Sequence, residues 1–416
     1  MSSDLYQIQV VDGLPQLYQF DDGLPRLETL GPGETLTPDG ENYLLKETHS
    51  LYVEVKVLTP IPVLSGSPGI FYVSSQYYAD PATGAVIPNS GESDDQGSDG
   101  EQEDGPSSGD DSYFGDNGDN SRSGLTGNDV YHGYAGRDNF NGDEGSDYLD
   151  GGSDDDNLNG GADDDSLFGG DGNDHLNGGT GNDFLDGGSG NDQVDGGEGD
   201  DQFVGGHGEG NDRYNGGGGT DEVTFTSALA GIAVDLQRGT AGSRGVDDAG
   251  IGSDRLTSIE NVVAGEHDDL LIGSAVANVL DGRGGDDRID GGRGADTSIG
   301  GTGADLFVIS KASDTGLGAR ADQIIDFSGS DGQGDRIDLS GIDAKKGFTK
   351  LDHFRFLGTA APVASGEGSN GVIWFDAGQG CVFASTDKDV QAEFAIRVLG
   401  VTDMSAADFV GLAPPV

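Results

Sequence analysis

Residues 178–195 read GGTGNDFLDGGSGNDQVD: two glycines, a third glycine, an Asn-Asp pair and a large apolar side chain, stated twice nine residues apart. Glycine loses more conformational freedom on folding than any other residue. One apolar side chain per repeat offers little burial to offset that loss. Such a chain either stays disordered or is held by something other than an apolar core. The period decides between the two. Aspartates stand at Asp129, Asp138, Asp147, Asp156, Asp165, Asp174, Asp183, Asp192 and Asp201, each nine residues after the last. Two positions behind them come Tyr131, Phe140, Leu149, Leu158, Leu167, Leu176, Leu185, Val194 and Phe203. The register slips by two residues at GGHGEGND and resumes with Asp212 and Asp221, trailed by Tyr214 and Val223. A second array runs through Asp269, Asn278, Asp287, Asp296 and Asp305. Disorder has no reason to keep such a ruler, whereas a fixed period marks a repeat architecture.

Composition narrows what could hold the repeats. The 416 residues include 77 glycines and are 33% hydrophobic, too thin for one large packed core. Acidic residues outnumber basic ones 76 to 21, a formal charge of -55. That field repels nucleic acid and anionic lipid, both of which bind through Lys/Arg surfaces. It attracts cations. No lysine occurs between Lys56 and Lys311, and from residue 91 to 226 the only basic residues are Arg122, Arg137 and Arg213. One-sign charge left unneutralised over that span works against any compact state. The single cysteine, Cys381, excludes an intrachain disulfide as the staple.

The repeat itself suggests a cation. Glycines at the first, second and fourth places let GGxGxD curl into a tight loop with its carbonyls turned inward. The three residues that follow suffice for a short strand with one inward apolar side chain. Two such units close one turn of a flattened solenoid with a loop on each edge. Loops on one edge are then eighteen residues apart, so Asp129 stacks under Asp147 and Asp138 under Asp156. Carboxylates roughly 4.8 Å apart repel unless a cation lies between them. Ligation by oxygen alone suits calcium better than magnesium, because calcium tolerates more and less rigid ligands. With no cysteine and only scattered histidine in the repeats, zinc and copper are poor candidates.

The strings GGDGNDHLN (169–177), GGTGNDFLD (178–186) and GGSGNDQVD (187–195) fill every defined place of the RTX nonapeptide, and the chain resembles that family over about residues 115–310. The resemblance implies an all-β fold, a calcium-loaded parallel β-roll in two arrays. It also implies that the sixteen positions from Asp129 to Asp221 and from Asp269 to Asp305, Asn278 included, supply side-chain ligands, with glycine-loop carbonyls completing each shell. Asp154 and Asp163 at the fourth glycine place, Asn278 at the acid and Ser298 at the apolar place depart from the pattern. The tail, with ADLFVIS, DQIIDFS, DRIDLSGID and MSAADFVGL, resembles the C-terminal region of serralysin-type proteases. Family resemblance implies export through type I secretion machinery, folding on calcium outside the cell, and a location at the cell surface or in the medium. The opening MSSDLYQIQVVDGLP, without the features of a secretory leader, fits that route although by itself it reads as cytosolic. No stretch has the 18 uninterrupted apolar residues of a transmembrane helix.

The expected organisation is a small β domain at 1–88, an acidic disordered linker at 89–120, the first array at 121–226 and a spacer at 227–264. The second array follows at 265–310 and a β-rich cap with the secretion signal at 311–416. In the first block LYVEVKVL (51–58) alternates as a half-buried strand, GIFYVSSQYY (69–78) reads as another, and the two Gly-Leu-Pro turns ten residues apart suggest hairpins. Trp374 and Phe375 read as core. GPSSG (105–109) matches a nucleophile elbow but has neither the strand nor the helix that gives that motif meaning. Protease chemistry is excluded by the absence of H-E-x-x-H among His49, His132, His175, His207, His267 and His353. Two functions remain: a secreted, non-catalytic calcium-binding protein acting at the cell surface or in extracellular polysaccharide, or a small polysaccharide-acting enzyme or binding module in residues 1–88. The acids of that block, Asp12, Asp21, Asp22, Glu28, Glu34, Glu41 and Glu47, select no catalytic pair by spacing.

Overall fold

The computed structural model describes residues 108–416 apart from 207–209, 246–248, 330–331, 345–351, 362–370, 388, 390 and 414–416; within 1–107 it describes only the backbone of short strands. The chain divides into two compact units, Met1–Glu103 and Asp104–Val416. In the first, Leu5–Val11, Leu14–Asp21 and Leu24–Arg26 pair antiparallel in sequence order, as the paired Gly-Leu-Pro turns suggest. Tyr43–Lys46, Tyr52–Lys56 and Tyr72–Ser74 form a second antiparallel sheet. Residues 89–107 of the linker expected at 89–120 lie outside the described residues.

The second unit is built from two facing sheets of 15 and 14 strands. Through the first array every strand pairs in parallel with the strand one turn on: Leu149 with Leu167 and Leu167 with Leu185 in one sheet, Leu158 with Leu176 in the other. The fold is the parallel β-roll that the eighteen-residue turn predicts. In Phe184–Ser189 burial alternates, with Leu185 and Gly187 facing in. Each repeat thus gives the core one apolar side chain, and Leu149, Leu158, Leu167, Leu176 and Leu185 are all fully buried. The fourth-place aspartates fit the roll as well: Asp154 and Asp163 take up the left-handed conformation of the glycines they replace, at φ 79° and 77°. That conformation costs most L-residues roughly 1–2 kcal/mol, and aspartate is among the few side chains that visit it.

The roll begins earlier than the linker expectation placed it. Ser112–Phe114 pairs in parallel with Val130–His132, setting Tyr113 against Tyr131. Asp111 and Tyr113 stand one turn before Asp129 and Tyr131 and belong to the same register. Between the arrays the chain stays in the sheet but reverses direction. Ile232–Asp235, Thr240–Ser243 and Ser253–Thr257 form an antiparallel excursion inserted between Arg213–Gly218 and Leu270–Ile272. Beyond residue 310 both sheets continue, one through Asp322–Ile324 and the hairpins of Val372–Val398, the other through Arg336–Asp338 and Phe409–Val410. Phe375 is fully buried and Trp374 is 7% exposed, stacked on Phe383. Both are core.

Candidate metal centre

The repeat aspartates line the two loop edges of the roll as continuous ladders. On one edge the Asp129 amide donates to Asp147 Oδ1 (2.7 Å), Asp147 to Asp165 (2.7 Å), Asp165 to Asp183 (2.8 Å) and Asp183 to Asp201 (2.9 Å). Asp201 donates in turn to Asp221 Oδ1 (2.9 Å). On the other edge Asp138, Asp156, Asp174, Asp192 and Asp212 are linked in the same way. One oxygen of each carboxylate is therefore committed to holding the next loop in register.

The other oxygen is not. Oδ2 of Asp129, Asp138, Asp147, Asp156, Asp165, Asp174, Asp183, Asp192, Asp201, Asp221, Asp287, Asp296 and Asp305 is buried and has no hydrogen-bond partner. A buried, unsatisfied polar atom costs on the order of 1–3 kcal/mol, more if charged. Thirteen in one fold call for a compensating ligand. The surroundings of each oxygen identify its kind. A methyl group at Gly178 would overlap Asp183 Oδ2 and come within 2.6 Å of the Gly196 carbonyl oxygen, and Gly169 stands in the same relation to Asp174 Oδ2 and the Gly187 carbonyl oxygen. The first-place glycine leaves room for a cradle walled by a carboxylate oxygen and the carbonyl of the next turn. An all-oxygen lining at loop edges suits a hard cation with flexible coordination.

Burial acts on these carboxyls in the same direction. Desolvation pushes Asp165 and Asp287 up to about 8, and Asp147, Asp156, Asp192 and Asp296 to about 7, against the pull of the amide each accepts from. Neighbouring carboxylates add to the rise: Asp147 and Asp183 for Asp165, Asp269 and Asp305 for Asp287. A divalent cation in the cradle would reverse both effects by favouring the ionised form.

Three of the sixteen expected positions differ. Asp212 Oδ2 accepts from the Tyr214 hydroxyl (3.1 Å), Asp269 Oδ2 from the Gly265 amide (3.2 Å), and Asn278 Oδ1 from the Ser274 amide (2.7 Å). The structure also brings in residues the repeat pattern does not reach. In the spacer, Asp254 accepts the Asp212 amide (3.0 Å) and keeps a buried, unpartnered Oδ2, while Glu260 Oε2 accepts the Asp221 amide (3.0 Å). Beyond the second array Asp322 and Asp335 accept the amides of Asp296 (3.2 Å) and Asp305 (3.0 Å). Their spacing departs from nine, so periodicity could not find them.

A second ladder runs through the fifth place, which the repeat leaves unspecified. The Asn182 amide donates to Asp164 Oδ1, Asp200 to Asn182 and Asn191 to Asn173, at 2.8, 2.8 and 3.1 Å. The signal was in the sequence as the recurrence of Asn or Asp at 155, 164, 173, 182, 191 and 200. These bonds face solvent and clamp neighbouring loops from outside. Filling one cradle tests the assignment from within: Gly178→Ala is expected to lower the calcium bound by one ion and destabilise the roll by about 1.4 kcal/mol at tenfold excess over Kd. Calcium titration followed by thermal melting reads both, and an unchanged titration would remove Asp183 from the ligand set.

Stacked parallel turns whose loop edges carry rows of buried, half-satisfied carboxylates define an acid-edged β-roll of the cation-binding class. Comparison with known proteins agrees. A family model described as the RTX calcium-binding nonapeptide repeat matches four times, at residues 123–158, 150–185, 177–208 and 186–223. A second, described as the Peptidase M10 serralysin C terminal, matches residues 214–411. The chain carries RTX calcium-binding repeats and a serralysin-type C-terminal region, and no protease-domain model matches it. No curated protein matches the chain. Among solved structures it is similar to the AlgE6R3 subunit of the Azotobacter vinelandii mannuronan C5-epimerase, at 21% identity over 45% of this chain and 77% of that one, with a TM-score of 0.21. Among the described residues no helix is long and apolar enough to cross a membrane.

Proposed function

We propose that this protein is a secreted, non-catalytic calcium binder whose roll folds when calcium fills the loop-edge cradles. The ligands are the thirteen repeat aspartates with an unpartnered Oδ2, and those buried oxygens are the observation that carries the reading. Asp212 and Asp269 are weaker members, since a donor of the chain already occupies their second oxygen, and Asn278 is weaker because its one amide oxygen accepts from the Ser274 amide. The ion's part is to supply positive charge between successive turns. The chain's part is to set carboxylate and carbonyl oxygens at the spacing of the sheet and to exclude water from them.

Export by a type I route and action outside the cell, at its surface or in extracellular polysaccharide, complete the proposal. They are supported by the RTX repeats and the serralysin-type C-terminal region. Residues 1–88 would supply specificity, in keeping with a separate compact unit Met1–Glu103. Equilibrium dialysis of chain recovered from calcium-containing culture medium tests the whole reading. Several calcium ions are expected to bind in preference to magnesium, with Asp183→Asn binding fewer. A chain retained in the cells, or one indifferent to which ion is offered, overturns it.

A further inference from the structure

The three repeat positions without a bare carboxylate oxygen lie around one stretch of chain. At each, a group of the protein stands where the other loops aim an oxygen into a cradle. The Tyr214 hydroxyl serves Asp212, the Gly265 amide serves Asp269, and the Ser274 amide serves Asn278. The same stretch carries other bonds that the repeats lack. The Arg244 guanidinium donates to the Asp269 carbonyl (2.7 Å), and the Asn278 side-chain amide donates to the Glu260 carbonyl (2.6 Å). Arg244 also places the protein's own positive charge beside an edge carboxylate.

Packing changes at the same point. Among the described residues nine apolar side chains are buried in the 73 positions from Tyr131 to Phe203, and twelve in the 42 from Val223 to Ala264. The excursion of Ile232–Asp235, Thr240–Ser243 and Ser253–Thr257 is antiparallel and closes through connections of four and nine residues. Its ladder therefore forms without the eighteen-residue turns that parallel pairing in the arrays requires, and loop closure costs less. Ile232, Val234, Ile251 and Leu256 fill the space beneath it. The unpartnered Asp254 Oδ2 belongs to the rung that meets Asp212, on the side of the first array.

We infer that this junction is a metal-independent clasp: it stays folded without divalent cation and holds the two cation-dependent arrays in register until the ion arrives. The inference rests on the calcium reading of the arrays and adds a region exempt from it. A roll with such a clasp has a template at its middle from which turns can add in both directions.

Hydrogen exchange of the full chain, followed by mass spectrometry in EGTA and in calcium, tests it. In EGTA, peptides covering Ile232–Asp235 and Thr240–Ser243 are expected to exchange at least tenfold more slowly than those covering Tyr148–Ser153 and His175–Thr180; in calcium the two sets should converge. Fast exchange everywhere in EGTA overturns the clasp and leaves the calcium reading standing. Slow exchange everywhere in EGTA overturns the calcium reading instead. Tyr214→Phe, which strips the donor from Asp212, is expected to speed exchange at Ser253–Thr257 in EGTA and to change little in calcium. No change in either condition would remove Tyr214 from the clasp.

Discussion

Chelation with EGTA at pH 7.5 is expected to abolish most of the β signal of the first array, and calcium, but not equal magnesium, to restore it cooperatively. The size of the effect follows from the cradles. At calcium tenfold above Kd, one site contributes about 1.4 kcal/mol. Ten first-array aspartates keep an unpartnered oxygen, and with one ion between each two of them about five sites contribute about 7 kcal/mol, comparable with the whole stability of an ordinary domain. The apolar term cannot take over that role, since each turn of the first array adds only two large inward side chains, such as Leu176 and Leu185. Ladder bonds from Asp165 to Asp183 and from Asp183 to Asp201 couple neighbouring turns, so loss of ions at one turn loosens the next. Circular dichroism through a calcium titration reads the transition. A spectrum and melting point unaltered by exhaustive EGTA dialysis would remove the ion from the fold.

The roll was legible because its governing interactions recur at one period. The nine-residue spacing placed Asp165 under Asp183 and Leu167 beside Leu185 before any coordinates, and the structure pairs both. The site was legible to the same depth: which residues line the edges, though not which oxygens remain bare. That second fact depends on partners the period does not encode. Tyr214 occupies an ordinary apolar place, and its hydroxyl reaches Asp212 while that of Tyr131, at the same place and as deeply buried, leaves Asp129 Oδ2 bare. Asp254 enters the edge 42 residues after Asp212 because the chain first runs through Ile232–Asp235 and Thr240–Ser243 before Ser253–Thr257 returns to pair with Arg213–Gly218. The alternation of Ile232 and Val234 announces that hairpin, but its pairing with Leu270–Ile272 is settled by the sheet it joins. Residues 108–120 resembled linker by composition alone, while Asp111 and Tyr113 already kept the register.

Acidity is expected to act on the metal-free chain in the opposite sense to its action on the calcium-loaded one. In the folded chain without ions, burial lifts Asp165 and Asp287 to about 8 and Asp147, Asp156, Asp192 and Asp296 to about 7, whereas an unfolded aspartate titrates near 3.9. Between roughly pH 4 and 8 the folded state therefore binds more protons than the unfolded state, and stability must fall as pH rises. The contribution of these groups is fully present below about pH 4 and is lost as pH passes through 7 to 8. Protons then do part of the work of the ions, neutralising the edge carboxylates that repel one another. In calcium the sign reverses, because the cation binds only the ionised carboxylates and acid displaces it. Thermal melts at pH 5 and pH 8, of chain freed of metal beforehand by dialysis and of chain in excess calcium, should cross: the metal-free chain more stable at pH 5, the loaded chain more stable at pH 8. A metal-free chain that gains stability from pH 5 to pH 8 would show that the edge carboxyls are not buried in the fold, and would leave the calcium dependence without its electrostatic cause.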